Sequence, residues 1–371
     1  MTKTLIYTLG LLASCAFQAA AQTFTDCNPL NSTCPADLAL GVKNYTVSFG
    51  STLETSIWNQ TNGALQHDGT TAQFTISKKS DGPTVKTNFY FFFGVAEVIM
   101  KAAPGQGIVS SIVLLSDDLD EVDWEMIGGN NTHVETNFFG KGNATLYDRA
   151  IWYPISNPIQ NYHNYTIVWT QEKLEWIVDG QVIRTLGFAD YHNGIQYPQT
   201  PMQLSLGNWV GGDSSLPKGT VDWAGGLADF SKGPFTMDVK SVRVSDYSSG
   251  KQYTYGDHSG TWQSIKSVAG NSTIADTVNA GPAPTVADRW KGLSKGAQIG
   301  IIAGVGAVLL AAIVTFTICC CKQRRAGRRE RALADAEWDK NTAELMAYKS
   351  RINNPGAMPG FGHGGYRPVI H

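Results

Sequence analysis

The run Asp120-Glu121-Val122-Asp123-Trp124-Glu125-Met126-Ile127 sets three carboxylates at alternate positions inside an otherwise apolar, strand-forming stretch. Successive side chains of a β-strand point to opposite faces, so Glu121, Asp123 and Glu125 share one face while Val122, Trp124 and Met126 share the other. Three like charges in a row repel one another. An ordinary half-buried strand does not select them on one face unless that face performs chemistry. The bland alternative is a solvated polar face on an amphipathic edge strand.

At about 3.3 Å per residue the Cα atoms of Glu121 and Glu125 stand roughly 13 Å apart. Side chains leaning toward each other bring the two carboxyls to about 5 Å, the separation of a retaining glycosidase. Three clustered carboxyls do not all ionise at neutral pH, so at least one keeps its proton and can serve as a general acid. Asp123, shorter and central, is better placed to hydrogen-bond a neighbour than to reach a sugar. Spacing alone leaves open which glutamate is the nucleophile.

Around this strand, residues 40–248 form a succession of short strand-like runs separated by Gly, Asn, Asp and Pro, with no long amphipathic helix between them. Expected strands include 73–77, 88–103, 107–115, 133–139 and 202–210. Asp179-Gly180 between two apolar runs signals a tight hairpin. The class is all-β, and the length suits one β-sandwich, not two domains. Sugar rings offer apolar faces, so a polysaccharide cleft wants aromatic platforms beside hydrogen-bonding groups. In the strand 201–210, Gln203, Ser205 and Trp209 share parity and can line one face. Trp209 and Trp223, each near a Gly pair that lets backbone and ligand approach closely, are the platform candidates, and Thr220 is a hydroxyl partner. Trp124, Trp169 and Trp176 are read as core. His163 reads as a satisfied sheet-edge residue; the histidines show no metal spacing, and neither a metal nor a cofactor is expected.

The pattern Glu121-Val122-Asp123-Trp124-Glu125-Met126 resembles the E-[IV]-D-x-E signature of the β-jelly-roll glycoside hydrolases that include laminarinases, lichenases and xyloglucan transglycosylases. Asn137-Phe138-Phe139-Gly140, Tyr165-Thr166-Ile167-Val168-Trp169, Trp209-Val210-Gly211-Gly212-Asp213 and Gly219-Thr220-Val221-Asp222-Trp223-Ala224-Gly225-Gly226 narrow the likeness to the fungal Crh branch. That branch holds cell-wall transglycosylases that join chitin to β-glucan. The resemblance covers about residues 23–262 and implies a concanavalin A-like jelly roll with its cleft on a concave sheet. It also implies Glu121 as nucleophile, Asp123 as its assistant and Glu125 as acid/base in contact with substrate, with chitin as donor and β-glucan as acceptor. Two other readings compete: a β-1,3/1,4-glucanase, and a wall-binding, lectin-like sensor.

The ends of the chain speak to location. Residues 1–21 read as a secretory signal peptide closing on Ala19-Ala20-Ala21. Ile299 to Cys321 is an uncharged apolar run long enough to cross a bilayer, followed by Lys322, Arg324, Arg325, Arg328, Arg329 and Arg331 on the expected cytosolic side. The expected order is signal peptide 1–21, catalytic domain 22–248, linker or stalk 249–298, transmembrane helix 299–321 and cytosolic tail 322–371. Relatives of the branch are often held by a glycolipid, whose signal is an apolar C-terminal tail. Here the apolar run is followed by a further polar segment, so a transmembrane helix at the plasma membrane or cell wall is expected. Within that tail 328–351 suits a helix, and 353–371, rich in Gly and Pro, suits disorder.

Charge and cysteines agree with this order. Of 29 basic and 31 acidic residues, the tail holds 10 and 5 and the signal peptide holds Lys3. The remainder, with 18 basic against 26 acidic residues, argues against a nucleic-acid partner and suits a neutral polysaccharide. Cys27 and Cys34 are expected to close a small disulfide loop in an oxidising compartment. Cys319, Cys320 and Cys321 sit at the inner membrane boundary, where palmitoylation and plain membrane filling are equally reasonable. Asn31, Asn44, Asn59, Asn130, Asn143, Asn164 and Asn271 each begin a glycosylation sequon, and Asn130 and Asn143 are expected on loops near the carboxylate strand.

Overall fold

Alternating strands bury one face each, and here two antiparallel sheets satisfy them by stacking apolar face to apolar face. The computed structural model describes residues 24–144, 148–280 and 286–353. The expected signal peptide and the Gly/Pro-rich end of the tail lie outside these. The first sheet has seven strands, in the spatial order Ile151–Pro154, His133–Phe139, Glu121–Ile127, Ile108–Ser116, Met202–Val210, Thr84–Thr87 and Trp58–Asn62. The second runs Gln181–Gly187, Lys173–Val178, His163–Trp169, Gly94–Lys101, Phe235–Asp246, Ala72–Ile76 and Gln66–His67, with Tyr45–Ser48 also paired to Phe235–Asp246.

The carboxylate strand is third in the first sheet, bonded on both sides, so the edge-strand alternative does not hold. Its Val122, Trp124 and Met126 join one core with Tyr165, Ile167 and Trp169 of the second sheet. Trp124 and Tyr165 meet edge to face, with ring centroids 5.4 Å apart. Trp124, Trp169 and Trp176 are fully buried, as their core reading expects. Trp176 also reaches across the sandwich to donate its Nε1 proton to the Asp123 carbonyl, at 3.0 Å. The strand is thereby pinned from behind.

The hairpin appears where expected: Asp179 and Gly180 both take positive φ, 49° and 80°, the pair of left-handed residues that a two-residue turn requires. The expected strand 88–103 begins only at Gly94. Phe93 and Gly94 turn the chain with φ of 59° and 148°, and a Cβ on Gly94 would lie 1.9 Å from the Ser245 carbonyl oxygen. The disulfide closes between Cys27 and Cys34, whose Cα atoms stand 5.8 Å apart.

The linker expected at 249–298 is corrected over its first part. Gln252–Tyr255 and Ile265–Val268 pair with each other, and the first of them also pairs with Asp37–Leu38 to make a three-stranded sheet. Tyr253 and Ile274 enter the main core. Composition hid this because a few apolar anchors, spaced among Ser, Gly and Thr, suffice when the partner surface lies elsewhere in the chain. The described residues of the first folded unit run to Ala280. Beyond it, a second unit holds a helix Val286–Gly292 and a 59-residue helix Lys295–Asn353, which contains the apolar run 299–321 and is long and apolar enough to cross a membrane.

Candidate active site

Register turns the alternating carboxylates into a grid. Residues directly paired across antiparallel strands share a face. Glu121 stands between Phe139 and Leu115, Asp123 between Asn137 and Val113, and Glu125 between Glu135 and Ser111. One strand further on, Gln203 pairs with Leu115, Ser205 with Val113 and Trp209 with Val109. The three residues chosen by parity on that strand thus lie on the carboxylate face. Lys86 pairs with Ser205 and the sequon residue Asn59 pairs with Lys86, so Asn59 ends the row that contains Asp123.

Asp120, which heads the run but is out of parity with it, has a different task. It accepts backbone N–H bonds from Lys141 at 2.9 Å, Gln199 at 2.8 Å and Thr200 at 3.2 Å, which ties two loops to the start of the strand. The three in-parity carboxyls are under-satisfied by comparison. Glu121 Oε2, Asp123 Oδ1 and Glu125 Oε2 are each covered without a hydrogen-bond partner in the protein. A buried polar atom left so costs about 1–3 kcal/mol, and such costs collect at functional sites.

The electrostatics separate the three. Burial raises Glu121 to about 7, with a hydrogen bond from Asp123 opposing the rise. Burial also drives Asp123 well above the ordinary carboxyl range, and the charges of Glu121 and Glu125 add to it. Glu125 is likewise driven well above that range, by burial first, then by Glu135 and Glu121, against hydrogen bonds from Ser111 and Trp209. Glu121 therefore gives up its proton first, and the proton on Asp123 is donated toward it. The arrangement offers one anion, one carboxylic acid two positions away, and a third group that orients the anion.

The tryptophans form a paired wall. Trp209 and Trp223 stack with centroids 5.9 Å apart and planes 22° from parallel, over a small apolar cluster of Val109, Ile127 and Ala224. Trp209 Nε1 donates to Ser111 Oγ at 3.0 Å, and Trp223 Nε1 donates to a Glu135 carboxylate oxygen at 2.7 Å. Beside Trp209 a groove of about 510 Å³ is lined by Gln203, Ser205, Lys86, Asn62 and Asp213, among others. Gln203 and Ser205 also bond inward, to the carbonyls of Thr87 at 2.6 Å and Val85 at 3.4 Å. Trp223 and Thr220 lie on the short helix Lys218–Trp223, where Thr220 is half-buried.

The Gly pairs bring backbone against backbone. Gly212 and Gly107 pack against the Gly226 backbone: Gly212 N–H bonds the Gly107 carbonyl at 2.8 Å, and a Cβ on Gly212 would lie 2.4 Å from the Gly226 oxygen. Bare backbone is needed so that the loop carrying Trp223 can lie against the end of the Trp209 strand. His163, bonded to Asp179 at 2.7 Å and to the Ser156 carbonyl at 3.0 Å, is a satisfied residue of the second sheet. Exposed sequon residues are Asn31, Asn44, Asn59 and Asn271; Asn130, Asn143 and Asn164 are half-buried.

Three residues of the site were not foreseen: Glu135, Ser111 and Trp152. Glu135 alternates with Asn137 and Phe139 on a strand that was identified, but only the register between strands sets it beside Glu125. Trp152, 37 % exposed on the outermost strand, pairs with Glu135 and extends the same row.

Residues 51–225 match the model of glycosyl hydrolases family 16. The chain is 46% identical over 370 residues to "Crh-like protein 3" of Aspergillus fumigatus, covering 99% of each. It is 48% identical over 350 residues to "Crh-like protein 2" of Botryotinia fuckeliana, covering 93% of this chain and 77% of that one. A solved structure, "Crh5 transglycosylase in complex with NAG", is similar with a TM-score of 0.63 and 54% identity, over 65% of this chain and 99% of that one.

Proposed function

The chain belongs to the Crh-like proteins of glycosyl hydrolases family 16, and from this premise we propose that it is a retaining transglycosylase of the cell wall that cleaves chitin and transfers it to β-glucan. In this reading the Glu121 carboxylate attacks the anomeric carbon of the donor, forming an ester bond as the glycosidic C–O bond breaks. Glu125 gives its proton to the departing oxygen. The Glu125 carboxylate then takes a proton from an acceptor hydroxyl, and the acceptor oxygen displaces Glu121 and restores the free carboxylate. Asp123, protonated, holds Glu121 in line by its hydrogen bond. Water in place of the acceptor gives chitin hydrolysis as a side activity.

The observation that carries this reading is the inequality between the two glutamates: burial lifts both, but at Glu121 a hydrogen bond from Asp123 opposes the rise, whereas at Glu125 the charges of Glu135 and Glu121 add to burial and outweigh the hydrogen bonds from Ser111 and Trp209. A lectin has no need of such a division. Trp209 and Trp223 supply the sugar platform, with Gln203, Ser205 and Thr220 as polar partners. The helix through 299–321 holds the enzyme at the membrane, with the 22–280 body outside. The solved relative in complex with NAG supports an N-acetylglucosamine polymer as donor.

The test is mass spectrometry of products from chitin oligomers incubated with labelled laminari-oligosaccharide. Hybrid oligomers carrying the label are expected. Shortened chitin with no hybrid would leave a hydrolase, and cleavage of β-glucan with chitin untouched would leave a β-1,3/1,4-glucanase.

A further inference from the structure

Resting on the reading of Glu125 as the acid/base, we infer that Glu135 is a positioning residue for it: a fixed negative charge, held by Trp223 and set directly across the strand pair, which keeps the proton on Glu125 and couples it to the tryptophan wall. Glu135 is 2 % exposed and paired in register with Glu125, and side chains so placed have Cβ atoms roughly 5 Å apart. Two adjacent buried carboxyls do not both ionise cheaply, so what decides the outcome is which of them is given partners for its anion. Glu135 has them. Burial raises the Glu135 carboxyl above its ordinary range, and against that rise Trp223 Nε1 donates to it at 2.7 Å and the Arg184 guanidinium favours its charge, whereas Glu125, with like charges beside it, is raised well above that range. Arg184 is itself fixed, donating to the Thr136 carbonyl at 2.8 Å and lying over the Trp176 ring at 4.6 Å.

Among the described residues, the other charged or titratable groups around Glu125 are few. Glu121 and Asp123 lie on its own strand, Ser111 on the next strand is uncharged, and the short helix presents Trp223, with Lys218 and Asp222 paired to each other in solvent. His133, two residues before Glu135 and of the same parity, is bonded to Thr132 at 2.8 Å. Glu135 is thus the charged neighbour of Glu125 that does not take part in bond making.

That distinction has a chemical use. When Glu121 becomes an ester its charge is lost, and with it part of what made Glu125 basic. Glu135 keeps its charge through both half-reactions, so Glu125 remains a strong enough base to accept a proton from a sugar hydroxyl in the second. The tryptophan link adds a second effect, because a sugar that moves Trp223 also changes the donor that holds the Glu135 anion.

The deciding variant is Glu135→Gln, whose amide oxygen still accepts the Trp223 N–H while the charge is gone. With full-length protein on chitin oligomers, the basic limb of kcat/KM, which reports loss of the Glu125 proton, is expected to move down by roughly one pH unit. Trp223→Phe, which keeps the ring and removes the N–H, is expected to move it in the same direction by less. Glu175→Gln, on the second sheet, serves as the charge-removal control with an unmoved limb. A folded E135Q whose limb coincides with wild type overturns the inference. If E135Q is not recovered folded, an unmoved limb in W223F overturns it equally. A wild-type protein that turns over no chitin oligomer would instead strike the reading of the site itself.

Discussion

Trp209 and Trp223 face each other at 5.9 Å and 22°, and each gives its indole proton to a residue in the row of Glu125, to Ser111 and to Glu135. On the proposed reading the ring wall and the acid/base form one structure, so a sugar bound against the rings would lie against groups that bear on the protonation of Glu125. Trp209→Ala is expected to raise KM for chitin oligomers by about tenfold, the loss of one aromatic platform. Trp209→Phe keeps the platform and should leave KM within about threefold of wild type while altering the pH profile. Steady-state kinetics on oligomers of increasing length check both, and an unchanged KM in W209A would remove Trp209 from the binding surface.

Glu121→Gln is expected to abolish turnover and to stabilise the fold in a pH-dependent way. The Glu121 carboxyl is raised to about 7 in the folded protein, above its unfolded range. The folded state therefore holds that proton more tightly, so its contribution is fully present below about pH 4 and is lost as pH rises to about 7. At pH 8 the wild type bears the cost of a buried charge that the amide lacks, roughly 3 to 4 kcal/mol. Thermal unfolding should give a higher Tm for E121Q at pH 8 and equal values at pH 4. A Tm difference that does not change with pH would contradict this.

On the proposed reading Asp123 acts on Glu121 by its proton. Its hydrogen bond lowers the Glu121 pKa, so Asp123→Ala should move the acid limb of kcat/KM to higher pH, because more of Glu121 is then protonated at any given pH. Asp123→Asn retains an N–H donor and should leave that limb nearly in place. Coincident acid limbs in the two variants would show that the hydrogen bond is not what orients and charges the nucleophile.

What could be read from the chain divides by range. Parity along one strand is local, so Glu121, Asp123 and Glu125 on one face, Trp124 in the core, and Gln203, Ser205 and Trp209 on a shared face were all legible. The Asp179-Gly180 turn was legible for the same reason. Register between strands is not local. Glu135 and Ser111 flank Glu125 only because three strands align in one way among many, and nothing within His133–Phe139 announces it. The same holds for Tyr253 and Ile274, whose packing partners are far away in sequence and whose neighbours look like linker. The Gly pairs near Trp209 and Trp223 stand out in the sequence, but the backbone-against-backbone packing they permit depends on Gly107 about 100 residues earlier.

The helix through 299–321 leads to an expectation about topology. On the proposed topology, with the basic cluster from Lys322 to Arg331 on the cytosolic side, an epitope placed after His371 should stay on the membrane-bound protein and resist protease in intact cells. Release by a phosphatidylinositol-specific phospholipase, with loss of the epitope, would show a glycolipid anchor instead.

The most direct measurement is capture of the covalent intermediate. Glu125→Gln removes the base that discharges the glycosyl-enzyme, so with a chitin oligosaccharide bearing an activated leaving group the ester should accumulate. Intact-mass and peptide mass spectrometry should find one added oligosaccharide on the peptide containing Glu121, discharged more readily by azide than by water because the anion needs no general base. An adduct on another carboxyl, or steady turnover of the activated donor by E125Q with no adduct and with inversion at the anomeric carbon, would contradict Glu121 as the nucleophile of a retaining transglycosylase.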